Sequence, residues 1–153
     1  MSPIHVAIVG LSSSAKVTWA ADAHLPYLLS SFGKKHYQLV ALLNSSTQAA
    51  EAAKKTFNLP SDVKAYGDPA TLAADPDIGL LVVCTRVDVH ASVVEPSLKA
   101  GKAVYIEWPL TQDVATSLNL TKLSSNPRNS IIGLQGRVAP ITLRIKDLLF
   151  TNT

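Results

Sequence analysis

Cysteine occurs once in the 153 residues, at Cys84, which excludes an internal disulfide and makes a reducing compartment the default. Cysteine and histidine nowhere fall at the spacing of a zinc site, so no metal is expected. No apolar run approaches the roughly 20 residues of a membrane span. The opening run, Ile4 to Val9, has no basic flank and reads as a strand rather than a secretion signal. Charge is also scarce, at 16% against 47% hydrophobic residues, the balance of a chain that buries a core rather than one that stays disordered. The net charge of +3 is mild. Lys34, Lys35 and His36, and Lys54 with Lys55, are short basic runs without interleaved aromatics. They read as solvated helix ends, so no direct nucleic-acid contact is expected. A soluble, intracellular, cytoplasmic protein without a membrane partner is the expectation.

What is present is an alternation. Ile4 to Val9, Tyr37 to Leu43, Lys64 to Tyr66, Ile78 to Thr85, Lys102 to Ile106 and Ser130 to Gln135 read as six strands. Several are nearly continuous in apolar residues, as in strands covered on both faces. Between them, helical spacing runs over Trp19 to Phe32, with Pro26 in its first turns and Gly33 as C-cap. Further helices are expected over Gln48 to Phe57, from Asp68-Pro69 onward, over Asp88 to Ala100 (ended by Gly101), over Thr111 to Leu123 and over Ala139 to Phe150. Ser46 or Thr47 caps the second helix, with Glu51 as a capping-box partner, and Asn126-Pro127 breaks the one that begins at Thr111. The implied fold is α/β: a doubly wound, Rossmann-like, mostly parallel six-stranded sheet with helices on both faces, in one domain over 1–153.

In such a fold a ligand lies beyond the C-terminal ends of the strands. Gly10 permits a tight turn there, although only the first glycine of a dinucleotide fingerprint is present. Leu11, Ser12, Ser13 and Ser14 follow, the serines offering backbone and hydroxyl donors to a pyrophosphate. The second strand ends in Asn44, Ser45 and Ser46 rather than in the carboxylate that favours NAD. Donors at that position would suit a 2′-phosphate, so NADP is expected ahead of NAD. Thr85, Arg86 and Val87, Glu107 and Trp108, and Gln135 and Arg137 complete the strand-end set.

Three segments, CTRVDVHASVVEPSLKAG (84–101), KAVYIEWPL (102–110) and GLQGRVAPITLRIKDLL (133–149), resemble the glucose-fructose oxidoreductase, inositol dehydrogenase and MocA family. Within it the likeness is to a fungal branch that includes the yeast galactose-pathway repressor. It rests on the Gly-Leu-Ser-Ser opening, on Trp19 with His24-Leu25-Pro26, on Glu107-Trp108-Pro109-Leu110 and on Leu134-Gln135-Gly136-Arg137. The resemblance implies a domain that binds NADP or NAD and places Trp19, His90 and Arg137 at or near the cofactor. It also implies two departures. The family's lysine, in Glu-Lys-Pro, is replaced by Trp108, whose indole offers one N–H and a stacking face. The family's C-terminal substrate and dimerisation domain is expected to be absent, leaving an uncovered face for a second copy or a partner chain.

Three functions follow as alternatives. One is an NAD(P)-binding oxidoreductase-like protein, of the hydride-transfer class if catalytic, acting on a small carbonyl or alcohol. Another is a non-catalytic dinucleotide-sensing regulator similar to the repressor, for which a nuclear location is the alternative. The third is a lyase, isomerase or cyclase reusing the strand-end cleft. Candidate catalytic groups are His24, His90, Glu107 and Trp108, with Asp88 as a further acid; His90 is read chiefly as a packing residue and Cys84 as a small core residue.

Overall fold

The computed structural model describes residues 2–15, 18–123 and 130–150. Six parallel strands form one sheet in the order β3-β2-β1-β4-β5-β6: β1 Ile4–Val9, β2 Tyr37–Leu43, β3 Lys64–Tyr66, β4 Leu80–Val83, β5 Ala103–Glu107 and β6 Ser130–Gly133. The order reverses between β1 and β4, which opens a crevice above their C-terminal ends. The helices are α1 Leu25–Leu29, α2 Thr47–Thr56, α3 Pro69–Ala74, α4 Val87–Lys99, α5 Val114–Leu123 and α6 Pro140–Phe150. No described helix is long and apolar enough to cross a membrane.

Alternation along the strands sends side chains to two cores. Ala7, Val9, Leu81, Val83, Val94 and Val104 cluster on one face. Val6, Ile8, Ala20, Leu25, Leu42 and Val82 cluster on the other. The central strands are thus buried on both faces, and this is why β1, β2 and β4 read as continuous apolar runs.

Local chemistry sets the boundaries, in places differently from the sequence pattern. The segment before α1 is a π turn, Ala20–His24, closed by the Leu25 N–H on the Ala20 carbonyl. Pro26 sits in the first turn of α1, where its missing N–H costs nothing. The expected C-cap at Gly33 is not used. Ser30 ends α1: its hydroxyl donates to the Tyr27 carbonyl at 2.7 Å and accepts from the Gly33 N–H at 2.9 Å. Ser46 caps α2 by accepting from Ala49 N–H at 3.1 Å, whereas Glu51 pairs with Lys54, so there is no capping box. Asp68 caps α3 as expected, accepting from Thr71 N–H at 2.8 Å.

Helix α4 ends at Gly101, whose φ of +75° is free only for glycine, and it carries Pro96 within its last turns. Helix α5 starts later than expected. Asp113 accepts from Thr116 N–H at 2.8 Å, while the buried Thr111 hydroxyl donates to the Asp113 carbonyl at 2.8 Å. Strand β4 is shorter than its apolar run at both ends, and β6 is shorter at its C-terminal end, where the chain enters the strand-end turn. The expected break at Asn126-Pro127 lies outside the described residues.

Candidate functional site

At the end of β1 the backbone turns through Gly10 with φ +91°. A β-carbon at this position would stand 2.8 Å from the Cys84 carbonyl oxygen and 2.8 Å from the Thr85 methyl, closer than carbon side chains approach. Only glycine lets the ends of β1 and β4 come together here. The gap above them is a cleft of about 410 Å³ lined by Gly10, Ser12, Ser13, Ser14, Asn44, Ser45 and Thr85. Those seven were expected from sequence. The cleft also uses Ala49 at the start of α2, Pro69 of α3, and Val89, Ser92 and Val93 of α4. All five were missed, though the i, i+3, i+4 spacing of the last three marks one helix face.

Two polar atoms inside this wall, Asn44 Oδ1 and Thr85 Oγ1, are buried and have no hydrogen-bond partner. The Asn44 amide nitrogen donates to the Leu11 carbonyl at 2.8 Å and to the Ala49 carbonyl at 3.2 Å. Both neighbours are acceptors, so a flipped amide would oppose oxygen to oxygen, and the orientation is determined. Asn44 Oδ1 is therefore the unpaired acceptor of a residue in the cleft wall. The sequence reading of Asn44 as a phosphate donor is corrected on this point: both of its N–H groups are already committed.

The serine loop is likewise folded on itself. Ser12 Oγ accepts from the Ser14 and Ala15 backbone N–H groups, each at 3.2 Å, and lies 3.2 Å from Ser14 Oγ.

The remaining expected residues stand elsewhere. Leu11 is fully buried and contributes only its carbonyl. Ser46 is the α2 cap. Arg86 grips Asp88 through two hydrogen bonds of 3.0 and 2.7 Å at the exposed start of α4, and Val87 is the first residue of that helix. Trp19 and Trp108 are 53% and 62% exposed, and neither lines the cleft. Trp108 precedes a cis bond to Pro109. Gln135 and Arg137 form a short 3₁₀ turn after β6 and lie apart from the cleft lining.

His90 is a strut rather than an open catalytic group. It is 1% exposed. Nδ1 faces the Pro109 and Leu110 carbonyls at 3.1 and 3.2 Å, and Nε2 faces the Thr85 carbonyl at 3.0 Å. One ring thus ties the turn after β4 to the loop after β5.

On the other side of these strand ends, His24 Nε2 lies 3.2 Å from Glu107 Oε1, and the His24 ring meets Tyr105 edge-on at 5.2 Å between centroids. Cys84 joins them. Burial pushes its thiol well above the usual range, and the Glu107 carboxylate beside it adds to the effect.

Comparison with known proteins agrees with this geometry. A model of an oxidoreductase family with an NAD-binding Rossmann fold, that of glucose-fructose oxidoreductase, inositol dehydrogenase and MocA, matches residues 4–129. A dehydrogenase of Aspergillus oryzae, AclE, is 33% identical over 147 residues, covering 95% of this chain and 40% of the relative. The galactose/lactose metabolism regulatory protein GAL80 of Saccharomyces cerevisiae is 28% identical over 155 residues, covering 97% of this chain and 34% of the relative. The crystal structure of the Kluyveromyces lactis transcriptional regulator Gal80p superposes with a TM-score of 0.81 at 29% identity, over 96% of this chain and 36% of that one. A myo-inositol dehydrogenase of Lactobacillus casei, solved with NAD(H) and myo-inositol, shares the fold at 24% identity and a TM-score of 0.77, over 97% of this chain and 42% of that one. The chain thus spans about two fifths or less of the lengths of the relatives it matches. With its β1 turn, its reversal of strand order and its cleft in the family's arrangement, the chain belongs to this oxidoreductase family and is its NAD-binding Rossmann domain.

Proposed function

We propose that the cleft above β1, β2 and β4 binds a nicotinamide dinucleotide with its adenosine ribose against Asn44. The observation that carries this reading is the pair of buried, unpartnered atoms in the cleft wall, Asn44 Oδ1 and Thr85 Oγ1. A buried acceptor without a partner costs about 1–3 kcal/mol, which a ligand donor at that point would return. NAD offers two ribose hydroxyls as donors at that point and NADP one beside a phosphate acceptor, so the site is read as favouring NAD. The pyrophosphate belongs at the serine loop. There the Ser14 and Ala15 N–H groups exchange a neutral hydroxyl at 3.2 Å for an anion, a stronger acceptor.

Calorimetric titration of NADH and NADPH into the protein is the test. NADH should bind more tightly, by about the three- to tenfold worth of one neutral hydrogen bond. No heat at high micromolar NADH would overturn the reading. Both tryptophans stand outside the cleft lining, so calorimetry is preferable to tryptophan quenching.

A regulatory reading is the second. It is favoured by Trp108, exposed on the loop after β5 where the family resemblance places a lysine. Binding of NADH without turnover over a panel of small carbonyl compounds supports regulation, and turnover supports the oxidoreductase.

A further inference from the structure

The face of the sheet opposite α4 carries a cluster that the dinucleotide cleft does not use. Cys84 and Glu107 each lie one residue beyond the paired Val83 and Ile106 of β4 and β5, which sets them side by side on adjacent strands. His24, the last residue of the π turn, reaches over them from the segment before α1. One ligand-type atom of each, an imidazole nitrogen, the sulfur and a carboxylate oxygen, lies within 4.8 Å of the other two. All three side chains are partly buried, and none lines the cleft.

We propose that His24, Cys84 and Glu107 form a binding site for a single zinc-class divalent cation. The donor set is the argument. Imidazole nitrogen, thiolate and carboxylate are all zinc ligands, with bonds of about 2.0–2.3 Å. Tetrahedral bonds of that length put neighbouring donors roughly 3.3–3.7 Å apart. The 3.2 Å between His24 Nε2 and Glu107 Oε1 is close to this span, and the sulfur lies within 4.8 Å of both. Three protein ligands leave a fourth position for water or for a ligand oxygen, the pattern of an open rather than a closed site. The edge of Tyr105 against the imidazole holds that ring in place, as outer residues do around metal ligands. A widened π turn, a form that recurs at functional sites, is what carries His24 to this point.

Coordination moves one proton and no electrons. The thiol proton is released to solvent as the metal–sulfur bond forms. His24 binds through Nε2 with its own proton on Nδ1. The ligands lie 60 and 23 residues apart along the chain. Sequence spacing therefore could not have shown the site.

Cobalt(II) is the probe, added to the chain without dinucleotide, so that failure here leaves the cofactor reading intact. One equivalent should produce a thiolate-to-cobalt charge-transfer band in the near ultraviolet, and Zn²⁺ should displace it. Because the chain has one cysteine, the band reports Cys84 directly. Cys84→Ser should abolish it. His24→Ala and Glu107→Gln should each weaken cobalt binding by more than the about tenfold that loss of an outer-shell partner costs. A titration of the unaltered protein that gives no band overturns the proposal, and so does a band that survives in Cys84→Ser. Unchanged affinity in both His24→Ala and Glu107→Gln, with circular dichroism showing them folded, overturns it as well.

Discussion

The two ends of the sheet differ in how their charged and polar groups are paired. Where β4 and β5 begin, the charged groups form a dense network, although the buried hydroxyls of Ser97 and Ser130 there have no partner. Lys102 Nζ donates to the Asp75 and Ile78 carbonyls at 2.6 and 2.7 Å. Asp75 Oδ2 accepts from Lys64 at 2.7 Å and from Tyr66 at 2.6 Å, and His5 Nδ1 lies 2.9 Å from the Asp77 carbonyl. The hydrogen bonds from Lys64 and Tyr66 hold the Asp75 carboxyl down at about 2. Burial and the bond to Asp75 push Tyr66 up to about 12. Where β2 and β4 end, Asn44 Oδ1 and Thr85 Oγ1 are left buried and unpaired. Most buried polar groups are hydrogen-bonded, so each exception calls for a physical reason. Of the unpaired atoms, the two at the cleft wall are those that the proposed dinucleotide would meet.

The sharpest way to break this contrast is at His90, a strut at the cleft end. Removing it takes away the ring that links the turn after β4 to the loop after β5 and leaves a cavity, so His90→Ala should cost about 2–4 kcal/mol, measured by urea unfolding. A loss below half a kilocalorie would show that the loops after β4 and β5 hold themselves.

Asn44→Asp comes next. A carboxylate is the usual residue at this point of a dinucleotide site, yet here it would set charged oxygen against the Leu11 and Ala49 carbonyls. A loss of about 1–3 kcal/mol, without tighter NADH binding, is the expected result. Improved affinity at unchanged stability would mean that the amide is not a fixed link.

At the end where β4 and β5 begin, Asp75→Asn should cost about 1 kcal/mol, since its Lys64 partner is 44% exposed and screened. The sign of the pH effect follows from the depressed folded-state value. The contribution of Asp75 is complete above the unfolded value near 3.8 and is lost as pH falls toward 2. Acid unfolding of the unaltered protein should show this loss between about pH 4 and pH 2, and Asp75→Asn should flatten it. The smallest effect belongs to Ser12→Ala. It removes two 3.2 Å bonds in an exposed loop and should change stability by less than about 0.5 kcal/mol, while weakening NADH binding little.

Much of the fold was legible because its signals are local. Alternating apolar runs marked the strands, Asp68-Pro69 marked the start of α3, and Gly101 marked the end of α4. Seven residues of the cleft were legible for a related reason: a doubly wound sheet puts its strand-end turns in one place. Misreadings came where a side chain had a choice of partner. Ser30 took the capping role expected of Gly33, and Ser46 capped α2 without Glu51. Cys84 packs against the core as expected, and also lies beside His24 and Glu107.

The sequence by itself determined an alternating α/β chain whose first strand must end on glycine, because apolar period, caps and turn residues act over a few positions. Tertiary structure alone decided which polar atom of Asn44 is left unpaired, that His90 is a strut, and that His24, Cys84 and Glu107 meet. Each of these depends on contacts between segments far apart in the chain, whose relative placement is set by the packing of the whole sheet and not by any local pattern.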